Sequence, residues 1–215
     1  MKELKDMKKI FLAMAMMFAL SIQAKEDTKY LAGAVPEVNG MVTFTKSFSV
    51  ANKSAQEVRQ IMQAFVNELV ENSIPAPGKY ARIMDDNADS IVARVCEWMV
   101  FKKKPFYLDR TRFRYQIKAK TQGNRVTLSI TAISYYYLED MEGEGGTLFK
   151  AEEWISDKEA LNKSKTKLYP KSGKFRRKTV DRADELFEAA MDAFEEKPEP
   201  VAVPVKKVRK GIVEE

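Results

Sequence analysis

Basic side chains occupy every second position through much of residues 107–120, which is a pattern that could recognise negative charge. Alternate residues of a β-strand project from one face of the sheet, so these side chains are predicted to form one ladder. Arginine pairs bidentately with carboxylate and phosphate groups. The ladder predicts a surface for an anionic glycan, a lipid headgroup or an acidic protein. The alternative is a solvated face that pairs with acids on neighbouring strands. Its members are Arg110, Arg112, Arg114, Lys118 and Lys120.

Three consecutive tyrosines at 135–137 close the next predicted strand. Neighbouring residues of a strand face opposite sides, so the three cannot all point one way. We group Tyr135 and Tyr137 with the ladder as candidate ligand-contacting residues. The alternative is that they belong to the core and to cross-strand packing.

Catalytic and metal chemistry is restricted because the chain contains no histidine. This absence excludes Ser-His and Cys-His nucleophile pairs and the usual imidazole-containing zinc sites. The acidic loop at 139–144 could offer oxygen ligands to calcium, but its spacing matches no EF-hand, and a solvated loop is the simpler interpretation. Cys96 is the only cysteine and lies in an apolar run, which predicts burial. We therefore assign no catalytic residue, no cofactor and no metal site.

The first 24 residues have the three-part order of a secretory signal peptide. Lysines open the segment, an uncharged run from Ile10 to Leu20 follows, and small residues lead to Ala24. The run is shorter than the roughly 20 residues that span a bilayer, although an uncleaved anchor is the alternative. We expect cleavage near Ala24, export to the periplasm or beyond, and no transmembrane segment in the mature chain. The net charge of +6 would suit a nucleic-acid partner, but export argues against one.

The remaining sequence predicts an α+β domain at 40–196, preceded by an extension at 25–39. Ser54 and Glu57 form a capping box at the start of a helix over 54–71. A second capping box, Ser156 with Glu159, indicates a short helix over 151–161, and a polar connector then leads to a long helix over 174–196. Prolines and lysines at 197–215 predict an extended, disordered tail. Period-two alternation predicts strands over 40–50 and 107–120. A segment that is apolar on both parities predicts a central strand over 90–101, with a break at 102–105. A short strand is predicted over 80–84, and a return strand over 125–138 follows a hairpin turn at 122–124.

Short turns between these strands imply an antiparallel sheet of about five strands. Two main helices with one apolar stripe each are expected to pack on one face of this sheet. The other face is then left to solvent or to a partner.

Three stretches together resemble a family of exported proteins from Bacteroides-type bacteria. The family is a domain of unknown function (DUF4468) with a TBP-like fold, and the resemblance extends over roughly residues 30–196. It implies a curved antiparallel sheet with helices on one face, and it carries over no catalytic residues. The stretches are YLAGAVPEVNG at 30–40, AEEWISDKEAL at 151–161 and SGKFRRKT at 172–179.

From these patterns we expect an exported, non-catalytic binding or interaction domain of the cell envelope. The expected partner is an envelope protein or an anionic glycan or lipid, and not a nucleic acid. The alternative is a periplasmic enzyme that depends on carboxylates or on Lys and Tyr side chains.

Overall fold

The computed structural model describes residues 28–76, 79–137 and 145–195. The predicted signal peptide, the acidic loop at 139–144 and the tail at 197–215 lie outside these residues.

The described residues form a two-stranded hairpin and one larger antiparallel sheet. The strands are β1 (Glu37–Val38), β2 (Met41–Val42), β3 (Phe44–Ser49), β4 (Arg82–Asp86), β5 (Ser90–Lys104), β6 (Tyr107–Gln122), β7 (Arg125–Tyr137) and β8 (Thr147–Lys150). The larger sheet has six strands. Five of them lie in the order β3-β7-β6-β5-β4, and the sixth, β8, pairs with the last residues of β7.

In the described residues four helical segments accompany the strands, and the two long ones pack on one face of the sheet, here called the inner face. The opposite face is called the outer face. The predicted α+β class with two main helices on one side is confirmed, with six strands in place of about five. The helices are α1 (Ala55–Glu71), α2 (Ala151–Trp154), α3 (Asp157–Ala160) and α4 (Pro170–Asp192).

Helix α1 begins as its capping box predicts. The Ser54 hydroxyl accepts the backbone N–H of Glu57, and the Glu57 carboxylate accepts the backbone N–H of Ser54. The second capping box is wrong, because Ser156 makes no capping hydrogen bond through its side chain. The expected helix over 151–161 is instead two single turns separated by Ile155 and Ser156.

The alternation of β6 places Phe113, Tyr115, Ile117 and Ala119 on the inner face, where each is at most 1% exposed. In β7 the inward parity changes at a bulge. Val126, Leu128 and Ile130 point inward, whereas after Ala132, which has a φ of 49°, the inward residues are Ile133 and Tyr135. A bulge inserts one extra residue and so moves all later side chains to the opposite face. This bulge decides which tyrosines reach the outer face.

The β5–β6 hairpin is longer than the sequence predicts. The lysines at 102–104 belong to β5, and the chain reverses at Pro105 and Phe106 instead of breaking over 102–105. Helix α4 likewise begins at Pro170 and not at Lys174, with the proline in the first turn, where its missing N–H is not needed.

A fully buried arginine ties the N-terminal segment to the helices. Arg176 donates to the carbonyl oxygens of Tyr30, Leu31 and Ile155 at 2.6–2.7 Å and pairs with Asp157 at 2.6 Å. Buried charge is costly unless it is paired and hydrogen-bonded, and this arginine meets both conditions. Because Tyr30 is also buried, the described part of the predicted extension at 25–39 packs against the core.

Two further strand residues concern the sequence predictions. The Cys96 side chain is buried, as predicted. At the backbone of the same residue, the carbonyl oxygen accepts the N–H of Ile74 at 2.8 Å. Lys46 lies on the inner side of β3, opposite Leu128, and remains exposed.

Candidate anion-binding face

The even-numbered residues of β6 lie on the outer face, so the predicted ladder is on one side of the sheet. Its members do not form one uniform row. The three arginines are half-buried near one end, while Lys118 and Lys120 are exposed farther along the strand.

At the arginine end, Trp98 of β5 lies beneath two guanidinium groups. The Arg110 Cζ is 3.6 Å and the Arg112 Cζ is 4.7 Å from the centroid of its ring. Arg112 also donates to the carbonyl oxygen of Pro75. The register places Trp98 directly opposite Arg112, so strand pairing fixes this stack.

Next to this stack, three arginines from three adjacent strands surround Tyr80. We call Tyr80, Arg82, Arg94 and Arg114 the Tyr80–arginine cluster. Arg94 and Arg114 lie 5.6 Å and 5.2 Å from the centroid of the Tyr80 ring, and Arg82 stands directly opposite Arg94 in the sheet. Cation–π contacts of this kind hold guanidinium groups in place without neutralising them.

The charges of the cluster are not neutralised within the part of the chain that the structure describes. There, neither Arg94 nor Arg114 forms an ion pair, and the Arg114 Nε is buried without a hydrogen-bond partner. Asp85 is the one carboxylate that the described strands place on the outer face, and it accepts a hydrogen bond from Asn87. Like charges on neighbouring strands destabilise a sheet unless an opposite charge lies between them.

Burial raises the pKa of Tyr80, although the charges of Arg94, Arg114 and Arg82 act to lower it. The phenol therefore stays neutral at physiological pH and gives the arginines a ring face without a counter-charge. An anion bound between Arg94 and Arg114 would meet two guanidinium groups held by one aromatic ring.

The lysine end of the outer face has a different chemistry. Lys118 faces Ser129 and Lys120 faces Thr127 across the β6–β7 pairing. The Ser129 hydroxyl shares a 3.2 Å hydrogen bond with Thr45 of β3, and the Thr127 hydroxyl shares one of 2.9 Å with Ser47. This end is a hydroxyl-rich, solvated surface without aromatic side chains.

The structure separates Tyr135 and Tyr137 from the ladder with which the sequence groups them. Tyr135 is fully buried and its hydroxyl shares a 2.7 Å hydrogen bond with Thr179 of α4. Tyr137 also lies on the inner face, so Tyr136 is the tyrosine that reaches the outer face, 5.4 Å from Arg114. The β7 bulge causes this exchange.

The Tyr137 side chain belongs to a cluster with Lys174 and Asp109. These are the residue types on which the alternative function, a Lys- and Tyr-dependent enzyme, would rely. The Tyr137 hydroxyl donates to Asp109 at 2.8 Å and accepts from Lys174 at 2.8 Å, while Lys174 also donates to Asp109 at 2.7 Å. Burial acts to lower the pKa of Lys174, but its hydrogen bonds to Asp109 and Tyr137 outweigh burial and raise it. A nucleophilic lysine needs a lowered pKa, so this geometry favours a structural role.

Two grooves on the helix side contain carboxylates, and most of these are paired. A groove of about 530 Å³ between β5 and α4 contains the ion pairs of Lys29 with Asp181 and Asp184. A second groove, of about 650 Å³, lies between α1 and α4, and Arg182 with Glu97 separates the two. The described residues include no group of three or more acidic or thiol side chains that could hold a metal ion.

Sequence reasoning did not identify Tyr80, Arg82 or Arg94 as site residues. Arg94 interrupts an apolar run and Tyr80 follows a proline-rich turn, so neither shows a pattern by itself. Only the pairing of β4, β5 and β6 brings the three together with Arg114.

The sheet, the two long helices and the open cationic face define a TBP-like α+β protein. A solved structure of a TBP-like protein from Parabacteroides distasonis has a TM-score of 0.60 to this chain at 18% identity, with 75% of this chain and 97% of that chain covered. At that identity the likeness concerns the fold alone.

The chain belongs to the DUF4468 family, a domain of unknown function with a TBP-like fold. The family model matches residues 44–136. The crystal structure of a DUF4468 family protein from Bacteroides ovatus is 37% identical, with a TM-score of 0.71, and covers 81% of this chain and 98% of its own. None of the curated proteins matches the chain. The family identifies the fold and assigns no catalytic or binding role.

Proposed function

We propose that this protein is an exported, non-catalytic binding domain of the cell envelope, and that its outer face binds an anionic ligand. The observation that carries the proposal is the Tyr80–arginine cluster. Two of its guanidinium groups share one aromatic ring and have no carboxylate partner in the described part of the chain.

The geometry of the cluster supports binding rather than turnover. Arg94 and Arg114 extend from paired strands and contact the Tyr80 ring, so less side-chain entropy is lost when an anion binds between them. Charge-assisted hydrogen bonds from guanidinium to carboxylate or phosphate are among the strongest polar contacts in proteins. The guanidinium groups of the cluster offer donors only, and the Tyr80 phenol, whose pKa is raised, stays protonated, so the cluster contains no group that could act as a base at neutral pH.

The export part of the proposal rests on the leader, which lies outside the described residues. No helix that the structure describes is both long enough and apolar enough to cross a membrane. We expect the protein recovered from the envelope or the medium to begin near Lys25 when its intact mass is measured. Recovery of the full-length chain from the cytosol would contradict export.

Binding is tested with the chain from Lys25 to Glu215, which retains every described residue. Inorganic phosphate and citrate serve as phosphate and carboxylate probes, and amide chemical shifts of β4, β5 and β6 report the site. The double substitution Arg94→Gln and Arg114→Gln is expected to weaken the tighter probe at least tenfold, because each charge-assisted hydrogen bond contributes about 1.5–3 kcal/mol.

The matched control is Lys171→Gln with Lys178→Gln, which removes the same charge from exposed positions of α4. It is expected to change the affinity no more than twofold. Equal weakening by both double variants would mean that net charge, and not the cluster, attracts the probes. Envelope extract is then passed over the immobilised wild-type chain and over the Arg94→Gln, Arg114→Gln variant. A component that the wild type retains and the variant does not is the ligand of the cluster.

A further inference from the structure

The tip of the β5–β6 hairpin is a second surface, separate from the outer-face cluster. The last residue pair between β6 and β7 is Thr111 with Tyr137. Beyond it, the strands at 102–104 and 107–109 pair only with each other in the described part of the chain. The tip, defined as residues 102–108, is a two-stranded ribbon in which every residue is exposed.

Large apolar side chains are exposed at the apex of this tip. Phe106 is fully exposed, and Tyr107 and Leu108 are 54% and 46% exposed. Three adjacent side chains of this size at one convex point are unusual for a surface that only meets water.

The backbone makes Phe106 still less expected. Its φ of 61° lies in the left-handed region, where Gly and Asn are favoured, and it is the only aromatic residue with positive φ among the described residues. Pro105 before it suits the first central position of a tight turn, after which Gly is the usual residue. Both backbone conformation and solvent exposure thus disfavour phenylalanine here, and such violations concentrate at functional positions.

The flanks of the apex are cationic. Three consecutive lysines at the end of β5, Lys102, Lys103 and Lys104, are all exposed. The nearest carboxylate of the hairpin, Asp109, is bound by Lys174 at 2.7 Å and so does not neutralise them. An apolar apex beside a run of lysines has the chemistry of a surface that meets anionic headgroups and acyl chains together.

We propose that the β5–β6 tip docks on an anionic lipid bilayer. Phe106 and Leu108 enter the interface, where the Tyr107 ring lies at headgroup depth, and the lysine stems extend along the apolar boundary while their ammonium groups reach lipid phosphates. A protein partner fits less well, because a standard interface involves about 20–30 residues a side and the tip is a narrow convex ribbon. This surface needs neither the arginine cluster nor its ligand.

The test is co-sedimentation of the chain from Lys25 to Glu215 with vesicles. One set contains equal parts of phosphatidylglycerol and phosphatidylcholine, and the other contains phosphatidylcholine alone. Wild type is expected to bind the anionic vesicles at least tenfold more tightly. The triple substitution Lys102→Gln, Lys103→Gln and Lys104→Gln is expected to lose about fivefold per lysine. The tail is present in every variant, so differences report on the tip.

Phe106→Asn separates membrane contact from folding. Asparagine adopts positive φ more readily than phenylalanine, so the melting temperature is expected to stay the same or rise, while vesicle affinity falls about tenfold. Met84→Asn is the matched control, because Met84 is 40% exposed on β4, away from the tip, and its replacement should leave vesicle binding unchanged.

Phe106→Trp provides a positive readout. It is expected to retain binding and to show fluorescence quenching by brominated lipids beyond that of wild type. The proposal is overturned if Phe106→Asn binds anionic vesicles as wild type does, or if wild type does not distinguish the two vesicle sets. It is also overturned if the tip mediates self-association that Phe106→Asn abolishes in sedimentation analysis. Loss of binding by the Arg94→Gln, Arg114→Gln variant with an unaffected tip variant would likewise assign the vesicles to the outer face.

Discussion

Arg176 and Asp157 form a 2.6 Å ion pair in which the arginine side chain is completely buried. The pair joins α4 to the turn that begins α3. The other hydrogen bonds of Arg176 go to the carbonyl oxygens of Tyr30 and Leu31 in the N-terminal segment and of Ile155 just before α3. One side chain thus connects three separate parts of the chain.

Replacing this arginine should strongly destabilise the fold. Arg176→Met is expected to lower the free energy of unfolding by about 3–5 kcal/mol, because it removes the side-chain donor to three carbonyl groups and one of the donors to the Asp157 carboxylate. Urea unfolding followed by circular dichroism measures the change. Lys178→Met, at an exposed position of the same helix, should cost less than about 0.5 kcal/mol. A similar cost for both variants would argue that Arg176 is not the connection described.

Two buried tyrosines should respond in opposite directions to removal of the hydroxyl. The Tyr115 hydroxyl is buried near Glu97 and Arg182 but forms no hydrogen bond of normal geometry among the described residues, whereas the Tyr135 hydroxyl is bonded to Thr179. Tyr115→Phe is expected to be neutral or to stabilise by up to about 1 kcal/mol, and Tyr135→Phe to destabilise by about 1 kcal/mol. Thermal unfolding of the two variants side by side provides the comparison, and a loss of equal size in both would contradict it.

The fold should lose stability at alkaline pH. Burial, with the charge of Glu97, raises the pKa of Tyr115, and burial raises that of Tyr135 despite its bond to Thr179. Folding therefore favours the neutral phenols, so their contribution is complete below about pH 10, the ordinary tyrosine pKa, and is lost as pH rises above it.

The free energy of unfolding in urea is measured between pH 7 and pH 11. It is expected to be unaffected by these two tyrosines below about pH 10 and to fall above it with a slope that approaches about 1.4 kcal/mol per pH unit for each. Tyrosinate absorbance from Tyr115 and Tyr135 should appear only with unfolding. Tyr115→Phe is the control, since it should make the alkaline decline less steep. An unchanged decline in that variant would remove Tyr115 from the explanation.

The two predicted capping boxes provide a matched pair. Ser54→Ala is expected to cost about 1 kcal/mol, because it removes the acceptor of the Glu57 N–H at the start of α1. Ser156→Ala is expected to cost distinctly less, since its side chain makes no capping bond. Chemical denaturation of both single variants would reveal the difference, and the reverse ranking would contradict the capping geometry.

A glycine inside α4 should resist replacement although alanine is the better helix former. A Cβ at residue 173 would lie 2.8 Å from the Cβ of Leu168, so one of the two backbones must shift. Overpacking of about 1–3 kcal/mol outweighs the propensity gain of about 1 kcal/mol, and Gly173→Ala is expected to destabilise. Lys171→Ala, in the same turn but exposed, should leave the thermal midpoint nearly unchanged, and a stabilised Gly173→Ala would show that the contact can relax.

The same glycine explains part of what the sequence could and could not predict. Gly173 and the polar residues before it predict a connector, because glycine disfavours helix interiors. The structure continues the helix through it and uses the missing side chain for a close contact with Leu168. By contrast, α1 follows directly from its spacing and its Ser54 cap, because both signals are local.

On the outer face, too, local patterns in the sequence predict some features, while others depend on contacts between distant residues. The alternation of β6 is sufficient to place Arg110, Arg112 and Arg114 on one side. The choice between Tyr135 and Tyr136 depends on a one-residue bulge at Ala132, for which the sequence offers no glycine as a signal. The cluster around Tyr80 depends on the register of three strands, which a period of two does not determine.

The exposed lysine on the inner side of β3 has a consequence for the protein in a crowded compartment. β3 ends the order of the sheet, and an unpaired strand edge is a template on which a second chain can add and polymerise. Such an added strand would have to cover the ammonium group of Lys46 with its own apolar side chains. That desolvation cost opposes the addition of a second chain at the edge of β3, which ends the sheet among the described strands.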